Sequence, residues 1–132
     1  KVPENTLHGW FNPACELLKP LYDELKKQVL AVDYIQVDET TLPVINKQSH
    51  KAVREYLWMV RAVTSGLVFF HYDDGSRSQE TARNLLEPFK GYLQSDGYAA
   101  YNLFEGKEGV CLVGCLAHVR RHYETDKEEN KF

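Results

Sequence analysis

The sequence predicts an α/β fold built on a mixed sheet. Two β-rich runs, residues 56–63 and 67–72, flank a turn that contains Gly66 and predict an antiparallel hairpin. Further along the chain, the runs at residues 91–95 and 110–115 alternate with helical patterns, which is typical of parallel strands. We therefore expect three antiparallel strands followed by parallel strands, with helices on both faces of the sheet.

The composition is that of one globular domain. Its 132 residues fall within the usual domain size of about 100–150 residues, and 43% of them are hydrophobic, which excludes wholesale disorder. No apolar run approaches the ~18 residues that a membrane-spanning helix needs, and no signal segment opens the chain. Three cysteines, an odd number, favour reduced thiols. These features predict a cytoplasmic protein without membrane association.

The net charge of −3 argues against a protein that coats nucleic acid through bulk positive charge. Residues 124–132 contain four acids and two bases, so this tail carries −2 of the total. The remaining charge of −1 leaves the body of the chain close to neutral. The acidity is therefore mostly a property of the tail and does not by itself exclude DNA as a partner of the body.

The first element is a helix. Asn12 and Pro13 predict its start, with Asn as the N-cap and Pro at the first helical position. Pro20 interrupts the pattern that follows and predicts a kink or two abutting helices. The apolar side chains of this segment recur three and four positions apart, which predicts one buried stripe: Leu17, Leu18, Leu21, Tyr22, Leu25 and Val29.

The other elements follow from short local patterns. A β-branched run at residues 34–38 predicts the first strand, which ends in Asp38. Ser76 and Gln79 resemble a capping box and predict a helix that continues to about Glu87. The remaining helical patterns lie after the fourth and fifth strands: a short stretch at 98–104 and a basic helix at 117–123.

Two acids occupy equivalent places at the ends of predicted strands. Asp38 ends the first strand, and Asp96 follows the strand at residues 91–95. Ligand sites in open α/β sheets form beyond the carboxyl ends of the strands. If the two strands are parallel neighbours, about 5 Å apart, their carboxylates converge and suit a shared Mg²⁺ or Mn²⁺. The alternative is that each Asp is only a turn residue at a strand end.

Three long motifs, in order along the chain, resemble bacterial insertion-sequence transposases of the IS66 family. Residues 37–45, VDETTLPVI, resemble the family's ADETPLPVL. Residues 91–102, GYLQSDGYAAYN, are similar to its GYLQTDGYAGYN, and residues 113–123, VGCLAHVRRHY, to its VGCWAHARRKF. The similarity extends over nearly the whole chain and is highly specific.

The resemblance implies a ribonuclease-H-like fold and an Asp-Asp-Glu (DDE) transposase site. Asp38 would be the first catalytic carboxylate and Asp96 the second, and together they would bind Mg²⁺ or Mn²⁺, with two ions in the complete site. The third acid, a Glu well downstream, has no matched position. We therefore expect a helical segment at 1–33, and a core at 34–132 that is cut before the third acid and is inactive by itself.

The resemblance also implies what the parent protein does. We expect metal-dependent cleavage and transfer of DNA strands, with transposon ends and target DNA as partners, by a homo-oligomer in the bacterial cytoplasm. Two alternatives remain open at this point. One is a hydrolytic nuclease on the same fold, since fold alone does not determine substrate. The other is a non-catalytic relic that survives as a DNA- or protein-interaction module.

Other residues are candidates for supporting the site or contacting DNA. Glu39 adjoins Asp38, but neighbouring strand residues point to opposite faces, so a structural or supporting role is expected. Cys115 and His118 resemble the Cys-x-x-His element that follows the second Asp in many DDE transposases. That likeness favours a role in positioning the site or the DNA, with an ordinary helix-start His as the alternative.

Three further interpretations concern charge, rings and metal. Arg120 and Arg121 are candidates for phosphate contact or a solvated helix face. Tyr98 and Tyr101 could stack on an unpaired base, although core packing is more common for such tyrosines. Zinc is a further possibility, with Cys111, Cys115, His118 and His122 as its ligands. We disfavour a zinc site, because structural zinc usually uses closely spaced cysteines on loops.

Overall fold

The elements of the fold follow the predicted order. A computed structural model of the chain describes residues 2–129. Its helices and strands are α1 (Glu4–Leu30), β1 (Tyr34–Ile45), β2 (Ala52–Ala62), β3 (Val68–Tyr72), α2 (Gln79–Leu86), β4 (Gly91–Ser95), a 3₁₀ helix (Ala99–Phe104), β5 (Val110–Gly114) and α3 (Leu116–Glu129). Within the described range, no helix combines the length and the apolarity needed to cross a membrane.

The five strands form one mixed sheet in the order β3-β2-β1-β4-β5. β1 pairs antiparallel with β2, and β2 pairs antiparallel with β3. β4 runs parallel to both of its neighbours, β1 and β5. This sheet, three antiparallel strands extended by parallel ones and flanked by helices, confirms the predicted fold class and is consistent with a ribonuclease-H-like fold.

The hydrophobic core lies on one face of this sheet. Ile35 and Val37 of β1 are buried on the same face as their cross-strand neighbours Ala62, Val60 and Leu93. Trp58 and Phe69 of β2 and β3 belong to the same core, and the helices and the loop after α2 contribute the other buried side chains: Val29, Ala82, Leu85, Leu86, Phe89, Ala100, Tyr101 and Phe104. The alternate residues of β1 and β4 therefore point to the opposite face.

The first strand is longer than predicted. β1 continues past Asp38 to Ile45 and pairs with β2 along its whole length, up to Ile45 and Ala52. Its parallel pairing with β4 ends much earlier, at Gln36 and Gln94. Beyond that point no strand among residues 2–129 pairs with this edge of β1, and a proline is tolerated on an unpaired strand edge, as Pro43 is here. The prediction that Asp38 ends the strand is therefore wrong: Asp38 follows the end of the parallel pairing.

The first helix differs from the prediction at its start. α1 begins at Glu4, and the amides of Thr6 and Leu7 donate to the carbonyl of Pro3. Pro13 and Pro20 both lie inside the helix, so Asn12 is not an N-cap and two abutting helices do not form. An interior proline removes one backbone hydrogen bond and is costly, but it does not have to end a long helix.

The predicted buried stripe of α1 is buried only at its C-terminal end. Val29 is fully buried, and Tyr22 and Leu25 pack against the core. Further towards the N-terminus the apolar side chains are exposed, Leu17 by 81% and Leu21 by 69%. The periodicity therefore identified an amphipathic helix correctly, but the body of the domain covers only the last turns of its apolar face.

The turns that join these elements use side-chain and glycine geometry. The predicted hairpin between β2 and β3 is confirmed, with Gly66 at a φ of 72° in the turn. The N-cap of α2 is Ser78 rather than Ser76, because the Ser78 hydroxyl accepts the amide of Thr81. The hydroxyl of Ser76 accepts the amide of Ser78, which places Ser76 outside the helix.

Candidate metal centre

The carboxylates of Asp38 and Asp96 converge as the sequence predicts. β1 and β4 are parallel neighbours with Gln36 opposite Gln94, and each Asp lies two positions further along. One carboxylate oxygen from each of Asp38, Asp96 and Glu39 can be chosen so that all three lie within 4.8 Å of one another. Among the described residues, no other group of three or more potential metal ligands lies as close together.

A pocket of about 130 Å³ opens beside the two aspartates. It lies at the end of the β1–β4 pairing, where the strands separate and α3 begins. Its lining consists of residues at the end of the β1–β4 pairing, one residue of β2, and two residues at the junction of β5 and α3: Gln36, Val37, Asp38, Met59, Gln94, Ser95, Asp96, Cys115 and His118. Both aspartates and the Cys-x-x-His residues therefore belong to a single site.

Backbone amides hold the two aspartates in place. The Oδ1 atom of Asp96 accepts the amide of Tyr98 at 2.8 Å, which closes a turn directly after β4. The Oδ1 atom of Asp38 accepts the amide of Glu39 at 2.9 Å. In each aspartate the Oδ2 atom is the one that faces a charged or ionisable neighbour. Each carboxylate is thus oriented by an amide at Oδ1, and its Oδ2 atom lies near the Arg77 or His118 side chain.

Glu39 occupies a different environment from Asp38. Its side chain is fully buried, on the core side of β1 as the alternation of strand residues predicts. One carboxylate oxygen accepts the hydroxyl of Tyr101, and the other accepts the guanidinium of Arg77 at 3.1 Å. Burial raises the pKa of Glu39, and the bonds from Tyr101 and Arg77 oppose that rise.

Arg77 links Glu39 to Asp96. Its guanidinium pairs with Oε2 of Glu39 at 3.1 Å and lies 3.7 Å from Oδ2 of Asp96. It also lies over the ring of Tyr98, 3.7 Å from the centroid, and 5.3 Å from the centroid of Tyr56. Sequence reasoning did not assign Arg77 to the site, because no local pattern relates it to either acid.

His118 and Cys115 lie at the other side of the pocket. The Nε2 atom of His118 is 3.8 Å from Oδ2 of Asp38. Its Nδ1 atom is buried and has no hydrogen-bond partner of ordinary geometry among the described residues. The backbone amide of His118, and then its ring, lower the pKa of the Cys115 thiol. The pair therefore contacts the site through Asp38.

Other sequence candidates lie outside the pocket. Arg120 and Arg121 are exposed on α3, and Arg120 pairs with Glu124 at 2.7 Å. Tyr101 is buried in the core and packs edge-to-face on Trp58, so it does not offer a ring for base stacking. Tyr98 is only partly buried, and its ring is already stacked on Arg77.

The cysteine and histidine residues considered for zinc do not form a ligand cluster in the described side chains. Cys111 is exposed on β5, whereas Cys115 and His118 belong to the pocket described above. The side chain of His122 lies outside the described residues.

Two glutamines of the pocket were missed from the sequence. Gln36 and Gln94 are opposite one another on β1 and β4, and the Nε2 atom of Gln36 donates to Oε1 of Gln94 at 2.9 Å. Their place in the pocket could have been predicted, because each glutamine stands two positions before an aspartate and therefore on the same strand face. Each lies in an otherwise mostly apolar strand, which makes it a polar residue on the face opposite the core.

The donor set fits a hard divalent cation. Asp38, Asp96 and Glu39 offer only carboxylate oxygens, and Mg²⁺ and Mn²⁺ prefer such ligands. Oδ2 of Asp38 lies near His118 and Oδ2 of Asp96 lies near Arg77, so the backbone amides described above engage only the Oδ1 atoms. The residues present therefore suit the class of ion that a DDE transposase would use.

Comparison with known proteins identifies relatives over almost the whole chain. The family model described as "Transposase IS66 family" matches residues 1–131. Two proteins of Sinorhizobium fredii, named uncharacterized protein y4qI and uncharacterized protein y4jD, are 30% identical over 137 residues and 32% identical over 139 residues. These matches cover 93% and 92% of this chain, but 25% and 26% of the relatives. The chain therefore spans about a quarter of the length of the curated relatives it matches.

Proposed function

Because this chain belongs to the IS66 family of transposases, we propose that it carries two metal-binding aspartates of a DNA transposase. The observation that supports this proposal best is the approach of Asp38 and Asp96 on parallel neighbouring strands, with carboxylate oxygens within 4.8 Å. The parent protein would cleave the ends of an insertion sequence and join them to target DNA. Residues 34–132 would form the catalytic core, preceded by the helical segment 1–33.

The chain's own residues would hold and orient the reacting groups. Asp38 and Asp96 would bind Mg²⁺ or Mn²⁺, and when bound the cations would stabilise the attacking and leaving oxygens of an in-line displacement at phosphorus. The hydrogen bond that the Tyr98 amide donates to Asp96 keeps this carboxylate in one orientation before metal binds. Since two aspartates alone leave most of the hydration shell of Mg²⁺ in place, this chain by itself should bind the ion weakly.

His118 would orient Asp38 rather than bind the metal. Its Nε2 atom lies on the Oδ2 side of Asp38, and its ring is one-quarter exposed at the pocket. The Cys115 thiol lies against the His118 amide and ring and would hold the imidazole in this place. The geometry is thus consistent with a Cys-x-x-His element that positions Asp38.

Arg120 and Arg121 would contact the DNA backbone. Both are exposed on α3, whose first turn places His118 at the pocket, where Cys115 directly precedes the helix. Arginine binds phosphate oxygens through a two-pronged guanidinium, so a duplex that reaches the aspartates would pass these side chains. The proposed partners are therefore transposon ends and target DNA, handled by a homo-oligomer in the bacterial cytoplasm.

The test is a strand-transfer assay with the whole transposase that contains this chain. Asp38→Asn and Asp96→Asn should each lower the rate at least about a hundredfold, because even the partners of metal ligands cost 10–100-fold when mutated. Asp23→Asn, an exposed acid on α1, is the matched control and should leave the rate unchanged. Undiminished strand transfer by Asp96→Asn would refute the assignment, and cleavage without joining by the wild type would favour a nuclease.

A further inference from the structure

We propose that Arg77 is a positioning residue. By binding the Glu39 carboxylate, it keeps Glu39 from becoming a metal ligand, so that Asp38 and Asp96 bind the cation. This inference rests on the proposed metal site and deepens it. Three carboxylates converge within 4.8 Å, yet only two of them correspond to metal ligands in the proposed function. Something must therefore prevent the third carboxylate from binding the ion, and the guanidinium of Arg77 is the group that occupies it.

Both oxygens of Glu39 already have partners. Oε1 accepts the hydroxyl of Tyr101, and Oε2 accepts Nη2 of Arg77 at 3.1 Å and its Nε at 3.3 Å. Charge-assisted hydrogen bonds of this kind are about twice as strong as neutral ones. A metal ion that bound Glu39 would have to compete with these donors inside a fully buried environment.

The same guanidinium also faces Asp96. Nη2 of Arg77 lies 3.7 Å from Oδ2 of Asp96, while Oδ1 is held by the amide of Tyr98. The longer distance marks a weaker contact than the one to Glu39. A cation can therefore replace Arg77 at Oδ2 of Asp96 more easily than at Glu39. Arg77 thus binds Glu39 firmly and Asp96 loosely.

Arg77 is itself held in place by tyrosines. Its guanidinium stacks on the ring of Tyr98 at 3.7 Å, and the hydroxyl of Tyr98 donates to the Arg77 carbonyl at 3.3 Å. Arg77 also directly precedes Ser78, the N-cap of α2, so its backbone is tied to the start of that helix. A side chain that only balanced charge in solvent would not need this many contacts.

The charges of the cluster lead to the same conclusion. Three ionised carboxylates and one guanidinium sum to −2, which one divalent cation neutralises. Without Arg77 the sum is −3 and Glu39 is free to turn towards the metal. We therefore expect the loss of Arg77 to tighten metal binding in this chain while placing the ion wrongly for chemistry.

The test is Mn²⁺ affinity, measured on the 132-residue chain by the electron paramagnetic resonance signal of free Mn²⁺. Arg77→Met should bind Mn²⁺ about tenfold more tightly, and Glu39→Gln about tenfold more weakly, because each change alters the local charge by one unit. The double variant restores a sum of −2 and should bind within about threefold of the wild type. Arg54→Met, on the exposed far arm of β2, is the matched control and should not change the affinity.

The remaining variants separate the possible outcomes. Arg77→Lys keeps the charge and should keep the affinity within about threefold, and Glu39→Gln still measures the charge relationship if Arg77→Met does not fold. An unchanged or weaker affinity of Arg77→Met, or an affinity of Glu39→Gln equal to that of the wild type, would overturn the role given to Arg77. Equal Mn²⁺ binding by the wild type and Asp38→Asn would instead refute the metal site itself.

Discussion

Asp38 and Glu39 are consecutive residues of β1, yet their carboxylates lie in opposite environments. The side chain of Asp38 is 42% exposed and lines the pocket, whereas that of Glu39 is fully buried against Tyr101 and Arg77. The alternation of side chains along a strand produces this difference. One strand therefore supplies a carboxylate to each side of the sheet. Asp38 is accessible to a ligand, and Glu39 is bonded to Tyr101 and Arg77.

Removing the hydroxyl that binds Glu39 should destabilise the domain. Tyr101→Phe leaves a buried carboxylate with one partner fewer, so the free energy of unfolding should fall by about 1–3 kcal/mol. Urea denaturation of the 132-residue chain measures this change. Tyr92→Phe removes a hydroxyl from a half-exposed ring of β4 and should cost less than about 0.5 kcal/mol. Equal losses in the two variants would contradict the role of the Tyr101–Glu39 bond.

A buried leucine of α2 and an exposed leucine of α1 should differ in their contribution to stability. Leu85 is buried on α2, so Leu85→Ala should lower the free energy of unfolding by about 2–5 kcal/mol through loss of burial and a remaining cavity. Leu17 is 81% exposed on α1, and Leu17→Ala should change stability by no more than about 0.5 kcal/mol. Thermal or urea unfolding compares them directly. A large loss for Leu17→Ala would mean that this half of α1 packs against protein in solution.

The start of β4 requires a glycine. Gly91 has a φ of 132°, and a Cβ atom there would overlap the carbonyl oxygen of Asp33. Gly91→Ala should therefore destabilise the chain by on the order of 2 kcal/mol or more, and it should weaken Mn²⁺ binding because Asp96 directly follows β4. Gly114→Ala, at the end of β5, meets no atom within 4 Å and serves as the control. Similar unfolding midpoints for the two variants would contradict this account.

His71 should make the stability of the domain depend on pH. Burial, and then the charge of Lys26, lower the pKa of His71 in the folded state, so the unfolded chain binds its proton more readily. Stability from this group is complete above the ordinary histidine pKa of about 6.5 and is lost as the pH falls from there through the lowered pKa. For one proton the slope is at most about 1.4 kcal/mol per pH unit.

Unfolding free energies measured between pH 5 and pH 7.5 test this dependence. His71→Gln should flatten the profile over that interval, and His8→Gln, on an exposed turn of α1, controls for the removal of a surface imidazole. An identical slope in the wild type and His71→Gln would show that other groups cause the dependence.

Most of the fold was predictable because it depends on local patterns. The hairpin at Gly66, the parallel strands, and the place of Asp96 directly after β4 all agree with the sequence. The errors occur where distant packing outweighs a local signal. The first strand was predicted to end at Asp38, but β1 continues to Ile45 because β2 pairs along its full length. Asn12 and Pro13 indicated a helix start, but the helix begins at Glu4.

The site was predictable in part for the same reason. Asp38 and Asp96 stand at recognisable places in their strands, and parallel pairing brings them together. Arg77 could not be found in this way, since it is 38 positions from Glu39 and belongs to the turn before α2. The exposure of Leu17 could not be found either, because a helical stripe shows only that one face is apolar and says nothing about what covers it.

The sequence by itself determined the order of the elements, the family, and the place of the two aspartates along the chain, because periodicity, turn residues and motifs are properties of short segments. Only the tertiary structure decided which groups surround them. It placed His118 beside Asp38 and the guanidinium of Arg77 between Glu39 and Asp96. Such relationships depend on the register of β1 against β4 and on how the turn before α2 packs beside them, and these distances in space have no counterpart in the spacing of residues along the chain.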